Sequence, residues 1–264
     1  MIELKSVEKE YGINGHSQQV LNGITITLEK GNIYALVGPS GSGKSTLLNS
    51  IAGTFSVDQG QILLNGKNIT KKSVVERSKS ISRVFQDPKL GTAVRLTVEE
   101  NLALAMKRGK KRGFFRGVKP QDRTFFKDQL VRLNLGLENR LSSEIGLLSG
   151  GQRQAITLLM ATLQRPELIL LDEHTAALDP ATSKTVMELT EKLITEQNLT
   201  AFMVTHDMED ATRYGSRLIM LHQGRIVVDI QQEEKQQLTV PQLLALFKQN
   251  SGTALKDDQV LLSS

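Results

Sequence analysis

Cysteine is absent from this chain of 264 residues. Disulfides and thiolate metal sites are therefore excluded, and the absence fits a protein of the reducing cytoplasm. Long apolar runs are missing too, since none approaches the ~20 residues that a membrane-spanning helix needs. The start, Met1–Lys5, lacks the charged-then-apolar pattern of a signal peptide. From these absences we expect a soluble chain, long enough for one α/β core with inserted subdomains.

Acidic residues are missing from one stretch, although the chain as a whole holds 33 Lys or Arg against 28 Asp or Glu. Residues 107–119 carry seven basic residues and no acid, so the remainder has 33 − 7 = 26 basic residues against 28 acidic ones, a balance of −2. Nucleic-acid-binding surfaces usually show basic residues along a whole face, so we expect no nucleic-acid partner. The stretch is typical of a solvated basic loop. Contact with anionic lipid headgroups, helped by Phe114 and Phe115, is the alternative.

A glycine-rich loop is the strongest signal in the sequence. It lies between an apolar strand-like run, Ile33–Val37, and a helix-like segment, Leu47–Ala52, and reads Gly38-Pro39-Ser40-Gly41-Ser42-Gly43-Lys44-Ser45-Thr46. Glycines let backbone N–H groups close around phosphates, and the helix start adds the positive end of its dipole. We expect Lys44 to reach the β- and γ-phosphates and the Ser45 hydroxyl to ligate Mg²⁺. The loop predicts a site for a nucleoside triphosphate.

Polar side chains follow three further strand-like runs. Asp172 and Glu173 come after Leu168–Leu171, so both carboxylates should emerge beside the phosphate loop. We expect Asp172 to hold Mg²⁺ through water and Glu173 to accept a proton from, or orient, the attacking water. Gln86 offers an amide oxygen to the metal or the water, and His206 is placed to sense the γ-phosphate.

A second anion-binding helix start occurs at Ser149-Gly150-Gly151, where a hydroxyl and free backbone N–H groups coincide. One nucleotide bound at Lys44 has no obvious use for a second such helix. The economical interpretation is that each copy supplies this helix to the nucleotide of another copy. Two nucleotides would then lie between two subunits, and association would depend on ATP.

Strand and helix signals alternate around these motifs and favour a right-handed, mainly parallel sheet. We expect strands at 2–7 and 24–28 around a turn-rich loop at 11–19, and a hairpin at 58–66 that turns at Asn65-Gly66. A helical block should occupy about 90–160. The tail, 231–264, should hold one helix started by Thr239 and Pro241, docked on the domain, and then a frayed end.

Taken together, Gly38–Thr46, Leu148–Gln152 and Leu168–Glu173 resemble an ABC-type ATPase subunit over roughly residues 2–230. The resemblance includes Gln86, Ala177-Leu178-Asp179 and His206, all in the family's order. It implies an α/β fold: a P-loop NTPase core with a mainly parallel sheet, an antiparallel β subdomain and an inserted α-helical subdomain. It also implies ATP and Mg²⁺ as cofactors, with Ser45, Gln86 and Asp172 at the metal.

The same resemblance implies further roles. Tyr11 stacks on adenine, Gln86 begins the loop that contacts a membrane partner, and His206 is the switch histidine. Ser149, Gly150, Gly151, Gln152 and Asp179 act in trans, across a dimer.

His174 departs from the commoner family pattern, which has proline after the catalytic glutamate. The stretches 172–179 and 86–92 resemble one subgroup, whose ATPases are paired with a membrane permease and an extracellular binding protein. Some members are suspected of tryptophan or tyrosine uptake. The resemblance thus implies an importer subunit at the cytoplasmic face of the membrane, and His174 is expected to be a packing or interface residue. An exporter or lipoprotein-release ATPase, a non-transport ABC protein and a catalytically silent subunit remain the alternatives.

Overall fold

Two β-sheets and the helices around them make up the fold in the computed structural model, which describes residues 1–13, 16–110, 117–235 and 237–252. The strands are β1 Ile2–Ile13, β2 His16–Leu28, β3 Ile33–Val37, β4 Gln59–Leu64, β5 Lys67–Asn68, β6 Ile81–Val84, β7 Leu168–Asp172, β8 Ala201–Val204, β9 Arg217–His222 and β10 Arg225–Gln231. The helices are α1 Lys44–Ala52, α2 Val74–Arg77, α3 Val98–Met106, α4 Pro120–Val131, α5 Gly150–Thr162, α6 Pro180–Glu196, α7 Met208–Tyr214, α8 Gln232–Lys235 and α9 Val240–Ser251.

The larger sheet has six strands in the order β10-β9-β3-β8-β7-β6, all parallel to their neighbours except the β9–β10 pair. Its inner strands are apolar throughout because both of their faces are covered. One face packs on α1 and the smaller sheet, and the other packs on α5, α6 and α9. The predicted mainly parallel sheet is confirmed. Its parallel strands end at one edge, which is where ligands bind in open α/β sheets.

The smaller sheet is antiparallel, in the order β2-β1-β4-β5. Here the predicted loop at 11–19 is wrong, because β1 runs to Ile13 and β2 begins at His16, with Tyr11 paired to Gln18. Polar residues such as Ser17 and Gln19 sit in exposed strand positions, where backbone pairing alone decides the structure. The turn signals Asn14 and Gly15 lie outside the described residues. The second predicted hairpin, which turns at Asn65-Gly66, is confirmed between β4 and β5.

The predicted helical stretch holds α3, α4 and α5. Thr97 and Ser149 cap α3 and α5 through reciprocal hydrogen bonds with the residue three positions on, Glu100 and Gln152. Of the basic segment 107–119, residues 111–116 lie outside the described residues, and these include Phe114 and Phe115.

The C-terminal part of the described chain forms α9, which docks on β10. Thr239 starts the helix with a capping box to Gln242, and Leu243 and Phe247 are buried in the core. The docked helix expected for the tail is present. The expected frayed end, residues 253–264, lies outside the described residues. Among the described helices, none combines the length and apolar character required to span a bilayer.

Candidate nucleotide site

The phosphate loop joins β3 to α1 and folds around the amine of Lys44. Lys44 Nζ donates to the carbonyls of Gly38 at 2.7 Å and Pro39 at 3.1 Å. Gly43 precedes α1 with φ 108°, and a Cβ there would lie 2.7 Å from the carbonyl oxygen of Val20. Only glycine fits this backbone, because both its conformation and the close approach of β2 exclude a side chain.

The tip of the loop faces outward. Ser40, Gly41 and Ser45 are exposed, and the hydroxyl of Ser42 is buried without a hydrogen-bond partner in the described part of the chain. A buried hydroxyl of this kind costs free energy unless a ligand or water satisfies it. The loop therefore combines an exposed tip with a buried hydroxyl that lacks a partner in the described chain.

Burial and neighbouring charges act on the pKa of Lys44 in opposite directions. Burial lowers the pKa of its ammonium group, while the carboxylates of Glu173 and Asp172 act in the opposite direction. Lys44 therefore lies within electrostatic reach of the two carboxylates at the end of β7.

Glu173 and His206 form a pair at the ends of β7 and β8. The backbone N–H of Glu173 donates to the Val204 carbonyl at 3.0 Å, and Glu173 itself has φ 45°, a left-handed conformation uncommon outside glycine. Its Oε2 lies 3.7 Å from His206 Nδ1. This ion-pair contact lowers the pKa of Glu173 and raises that of His206. Each group thus favours the charged form of the other.

Asp172 ends β7 and has a partner that the sequence analysis missed. Arg83 on β6 donates through Nη2 to Asp172 Oδ2 at 2.6 Å and through Nη1 to Asn49 Oδ1 at 2.6 Å. The available signal was a charged residue inside a short strand with apolar ends, because charged residues are seldom covered without a partner. Gln86, exposed just after β6, lines the same cleft as Asp172 and Arg83.

Tyr11 lies on β1, one strand away from the phosphate loop. Its ring meets Phe55 edge-on with centroids 6.0 Å apart, and Lys9 Nζ lies 5.4 Å from its centroid. Lys9 pairs with Leu21, next to the Val20 carbonyl that approaches Gly43. The sequence analysis did not identify Phe55, which immediately follows the turn that ends α1.

The first turn of α5 lies with the start of α6. Ser149 Oγ accepts from the Gln152 N–H at 3.2 Å, and a Cβ on Gly151 would come within 2.2 Å of the Thr182 methyl group. Asp179 caps α6 by accepting from the Thr182 N–H at 3.1 Å. Ser149, Gly150 and Asp179 are exposed, and within the described chain no hydrogen bond joins them to the phosphate loop.

His174 is buried and uncharged, which agrees with the packing role expected for it. Its Nε2 lies 3.0 Å from Thr190 Oγ1, and burial lowers the pKa of its ring to about 4. The Thr190 hydroxyl donates its hydrogen to the Val186 carbonyl at 2.7 Å. It must therefore accept from His174, which fixes the tautomer with hydrogen on Nε2.

The oxygen donors near the phosphate loop suit Mg²⁺. Ser45 offers a hydroxyl, Asp172 a carboxylate and Gln86 an amide oxygen, and this hard cation prefers one or two protein ligands together with phosphates and water. In the described ranges there is no group of three or more His, Cys, Asp or Glu side chains able to hold a metal alone. The set fits a cation that arrives with a nucleotide.

Comparison with known proteins decides the family. The family model described as "ABC transporter" matches residues 21–176. A tyrosine transport ATP-binding protein from Clostridioides difficile (strain R20291) is 41% identical over 249 residues, which are 94% of this chain and 99% of that protein. The chain belongs to the ABC transporter family. The ATP-binding and ATP-hydrolysing subunit predicted from the motifs is thereby confirmed.

Other ABC proteins agree in sequence and fold. A methionine import ATP-binding protein, MetN 1 from Listeria innocua, is 34% identical over 230 residues, 86% of this chain, and the chain spans 65% of that protein's length. A dimeric post-hydrolysis structure of the ATP-binding cassette MJ0796, bound to ADP and Pi, matches with a TM-score of 0.76 at 30% identity. That match covers 88% of this chain and 99% of the cassette.

Proposed function

We propose that this ATPase powers the uptake of an amino acid, with an aromatic amino acid as the first candidate, through a separate permease and an extracellular binding protein. The observation that carries the proposal is the likeness to the tyrosine transport ATP-binding protein over nearly the whole of both chains. The name of the methionine import relative also gives an amino acid as the cargo. The subunit would act at the cytoplasmic face of the membrane. Residues 1–230 would form the ATPase domain, with a helical subdomain inserted at about 90–160, and 231–264 an extension.

The first half of the catalytic site is built by one chain. The backbone of Gly38–Thr46 and the Lys44 ammonium hold the phosphates, and Tyr11 stacks on adenine. Ser45, Asp172 and Gln86 hold Mg²⁺, which supplies charge neutralisation on the phosphates when bound. Glu173 orients the attacking water and His206 contacts the γ-phosphate. Most of the rate effect is electrostatic stabilisation of the transferred phosphoryl group.

The second half comes from another subunit. The first turn of α5, Ser149–Gln152, offers a hydroxyl, backbone amides and the helix dipole, and its first two residues are exposed in the single chain. Asp179 lies beside it because α5 and α6 pack closely at Gly151. Two chains would enclose two ATP molecules. The cassette MJ0796, which is similar in fold, is itself dimeric. ATP binding would favour the dimer and hydrolysis would release it.

A direct structural path runs from the second half-site to the loop that begins at Gln86. The side chain of Gln154 on α5 donates to the Phe85 carbonyl at 3.2 Å. One helical turn further on, Thr157 lies against Gly91 in the same loop. Movement of α5 at the nucleotide would therefore move the 86–92 loop as well, which supports this loop as the element that transmits the motion to the permease.

A basic cleft beside this loop is suited to the permease contact. It has a volume of about 710 Å³ and lies between α2, the end of α3 and α5. Five cationic side chains line its described part and no carboxylate does; they are Lys79, Arg83, Lys107, Arg108 and Lys110. Apolar Val75 and Leu104 are exposed in its wall. An acidic, amphipathic segment of the permease would be complementary to this cleft.

The test is affinity isolation of the tagged chain from detergent-solubilised membranes of its natural host. A multi-spanning permease and a binding protein should copurify, and tyrosine, tryptophan or methionine should raise the melting temperature of that binding protein. Recovery of a permease without any binding protein would favour an exporter. Recovery of nucleic acid without a permease would overturn the proposal.

The cleft gives this isolation an internal control. Arg108→Glu reverses a charge inside the cleft and should lower permease recovery severalfold. Arg140→Glu makes the same change at an exposed residue outside the cleft lining and should leave recovery unchanged. Equal recovery with both variants would remove the cleft from the proposal.

A further inference from the structure

Arg83 lies on β6, an edge strand of the larger sheet, yet its guanidinium is largely covered. In register it lies beside Leu170 on β7, so its side chain shares the α1 face of the sheet with Asp172, two residues further along. The side chains of Arg83 and Asp172 are each only 16% exposed. The guanidinium also stacks near Phe85, with Cζ 4.6 Å from the ring centroid. Three side chains therefore fix its orientation: Asp172 and Asn49 through hydrogen bonds and Phe85 through its ring.

The ion pair involves the carboxylate assigned to Mg²⁺ under the proposed function. Asp172 Oδ2 accepts a hydrogen bond from Arg83 Nη2 at 2.6 Å. This contact uses one carboxylate oxygen and leaves the other for a second partner. Asn49 on α1 holds the opposite Nη of the guanidinium. Arg83 thus links the helix that follows the phosphate loop to the acidic residue that faces it.

A guanidinium and a divalent cation draw on the same negative charge. The guanidinium fixes the rotamer of Asp172, which favours an ordered site. Its positive charge also lowers the electrostatic attraction between Asp172 and any cation placed on its free side, in a partly buried setting where screening is incomplete. The two effects have opposite consequences for cation binding and for turnover, so they can be measured separately.

We propose that Arg83 is a positioning residue that holds Asp172 in place and weakens the coupling between Mg²⁺ and bound ATP. This rests on the proposed role of Asp172 at the metal. In this role Arg83 keeps Mg²⁺ from being held too tightly after hydrolysis. It also keeps Asp172 oriented when Mg²⁺ is not bound. A purely structural ion pair would affect folding stability without changing the contribution of Mg²⁺ to nucleotide binding.

The decisive measurement is the factor by which Mg²⁺ strengthens nucleotide binding. A fluorescent ATP analogue labelled on the ribose is titrated with the full chain, once in EDTA and once in excess MgCl₂. The dissociation constant in EDTA divided by the dissociation constant in MgCl₂ is the Mg²⁺ coupling factor. In Arg83→Met this factor should rise about tenfold, because a positive charge beside the metal carboxylate is gone. Turnover at saturating MgATP should fall, because Asp172 is no longer held.

Three further variants make the test decisive. Arg83→Lys keeps the charge and should return the coupling factor to within about twofold of the wild type. Arg83→Gln removes the charge but keeps hydrogen-bonding groups, so it replaces the Met variant if that chain does not fold. Asn49→Ala removes the other anchor of the guanidinium without changing charge and should leave the factor nearly unchanged. An unchanged or lower factor in both neutral Arg83 variants overturns the proposal.

Asp172→Asn separates this proposal from the one on which it rests. Loss of the carboxylate should reduce the coupling factor towards one. If Asp172→Asn leaves the factor as it is, the assignment of Asp172 to Mg²⁺ is wrong. If Asp172→Asn lowers the factor but Arg83→Met and Arg83→Gln do not raise it, only the role of Arg83 is wrong.

Discussion

The starts of α1 and α5 are both rich in glycine and serine, yet their surroundings differ. At α1 the loop curls around Lys44, whose amine is bonded to two loop carbonyls, and β2 closes in on Gly43. At α5 the polar groups face solvent, and Ser149 and Gln152 satisfy one another's backbone N–H groups. The difference teaches that the same local chemistry makes a complete cradle only where neighbouring elements surround it. Under the proposed function, the α5 start is half of a site that a second chain completes.

The segment from Asp172 to Asp179 connects these two regions. Its first residues face the phosphate loop at the end of β7, and its last residue caps α6 beside the α5 start. His174 lies buried between them and donates to Thr190 on α6. This short segment is anchored by His174. It places carboxylates at the start of α1, which we call the enclosed region, and Asp179 at the start of α5, the exposed region. This arrangement suits a protein in which one chain must sense the nucleotide of another.

The largest expected effect separates the two helix starts. Lys44→Ala removes the only side-chain cation that the loop encloses, so it should weaken ATP binding at least 100-fold and abolish hydrolysis. Ser149→Arg adds bulk and charge at the exposed start, so the single chain should bind ATP within about twofold of wild type, yet fail to dimerise or hydrolyse. Equilibrium binding of ribose-labelled ATP and light scattering in a Glu173→Gln background measure the two properties.

A matched control places the same charge elsewhere. Gln249→Arg alters an exposed position on α9 and should leave binding, dimerisation and hydrolysis unchanged. The comparison fails if Ser149→Arg dimerises with ATP as well as Gln249→Arg does. It also fails if Ser149→Arg loses ATP binding in the single chain, because the α5 start would then act on its own nucleotide.

The enclosed region was predictable from sequence because its chemistry is local. A strand, a glycine loop and a helix are contiguous, so Gly38–Thr46 could be assigned without knowing what packs around it. Residues at strand ends, such as Glu173 and His206, could be brought together because parallel strands end at one edge. The helix start predicted at Ser149-Gly150-Gly151 is the start of α5.

What sequence did not predict depends on contacts between distant elements. Arg83 finds Asp172 89 residues away and Asn49 34 residues away, and no local pattern encodes either pairing. Phe55 meets Tyr11 only because α1 returns the chain to the smaller sheet. The error at 11–19 has the opposite origin. There the local turn signals were real, but long backbone pairing between β1 and β2 extended both strands nearly to the turn.

A smaller effect should appear in the segment that joins the two regions. Burial lowers the pKa of His174 to about 4, so below the ordinary histidine pKa the unfolded chain takes a proton that the folded chain refuses. This costs about 2 kcal/mol of stability between pH 8 and pH 5, and the loss deepens as the pH falls further towards the folded pKa. His174→Gln should lack this part of the acid loss, measured as the free energy of unfolding in urea at both pH values.

His206→Gln serves as the control for that measurement, because the pKa of His206 is raised rather than lowered. Its removal should not relieve acid destabilisation. Equal pH dependence in the wild type and His174→Gln would show that the buried ring does not resist protonation. The joining segment would then be less firmly anchored than the contact with Thr190 indicates.

The smallest expected effect concerns the Glu173–His206 pair, which lies at the enclosed region. Glu173 raises the pKa of His206 through this ion-pair contact, so the stabilisation from the pair is fully present below the ordinary histidine pKa. It is lost as pH rises through the folded value. On the acid side Glu173, whose pKa is lowered, keeps its charge until pH falls through its own folded value. Glu173→Gln should therefore lower the pKa of His206. That pKa is measured from the C2–H resonance in an NMR titration, and the resonance is assigned with His206→Gln.

Ser149→Arg, at the other helix start, should leave the pKa of His206 unchanged in the single chain. If Ser149→Arg moves the His206 pKa as much as Glu173→Gln does, the two regions are coupled within one chain, and the α5 start is not an independent half-site.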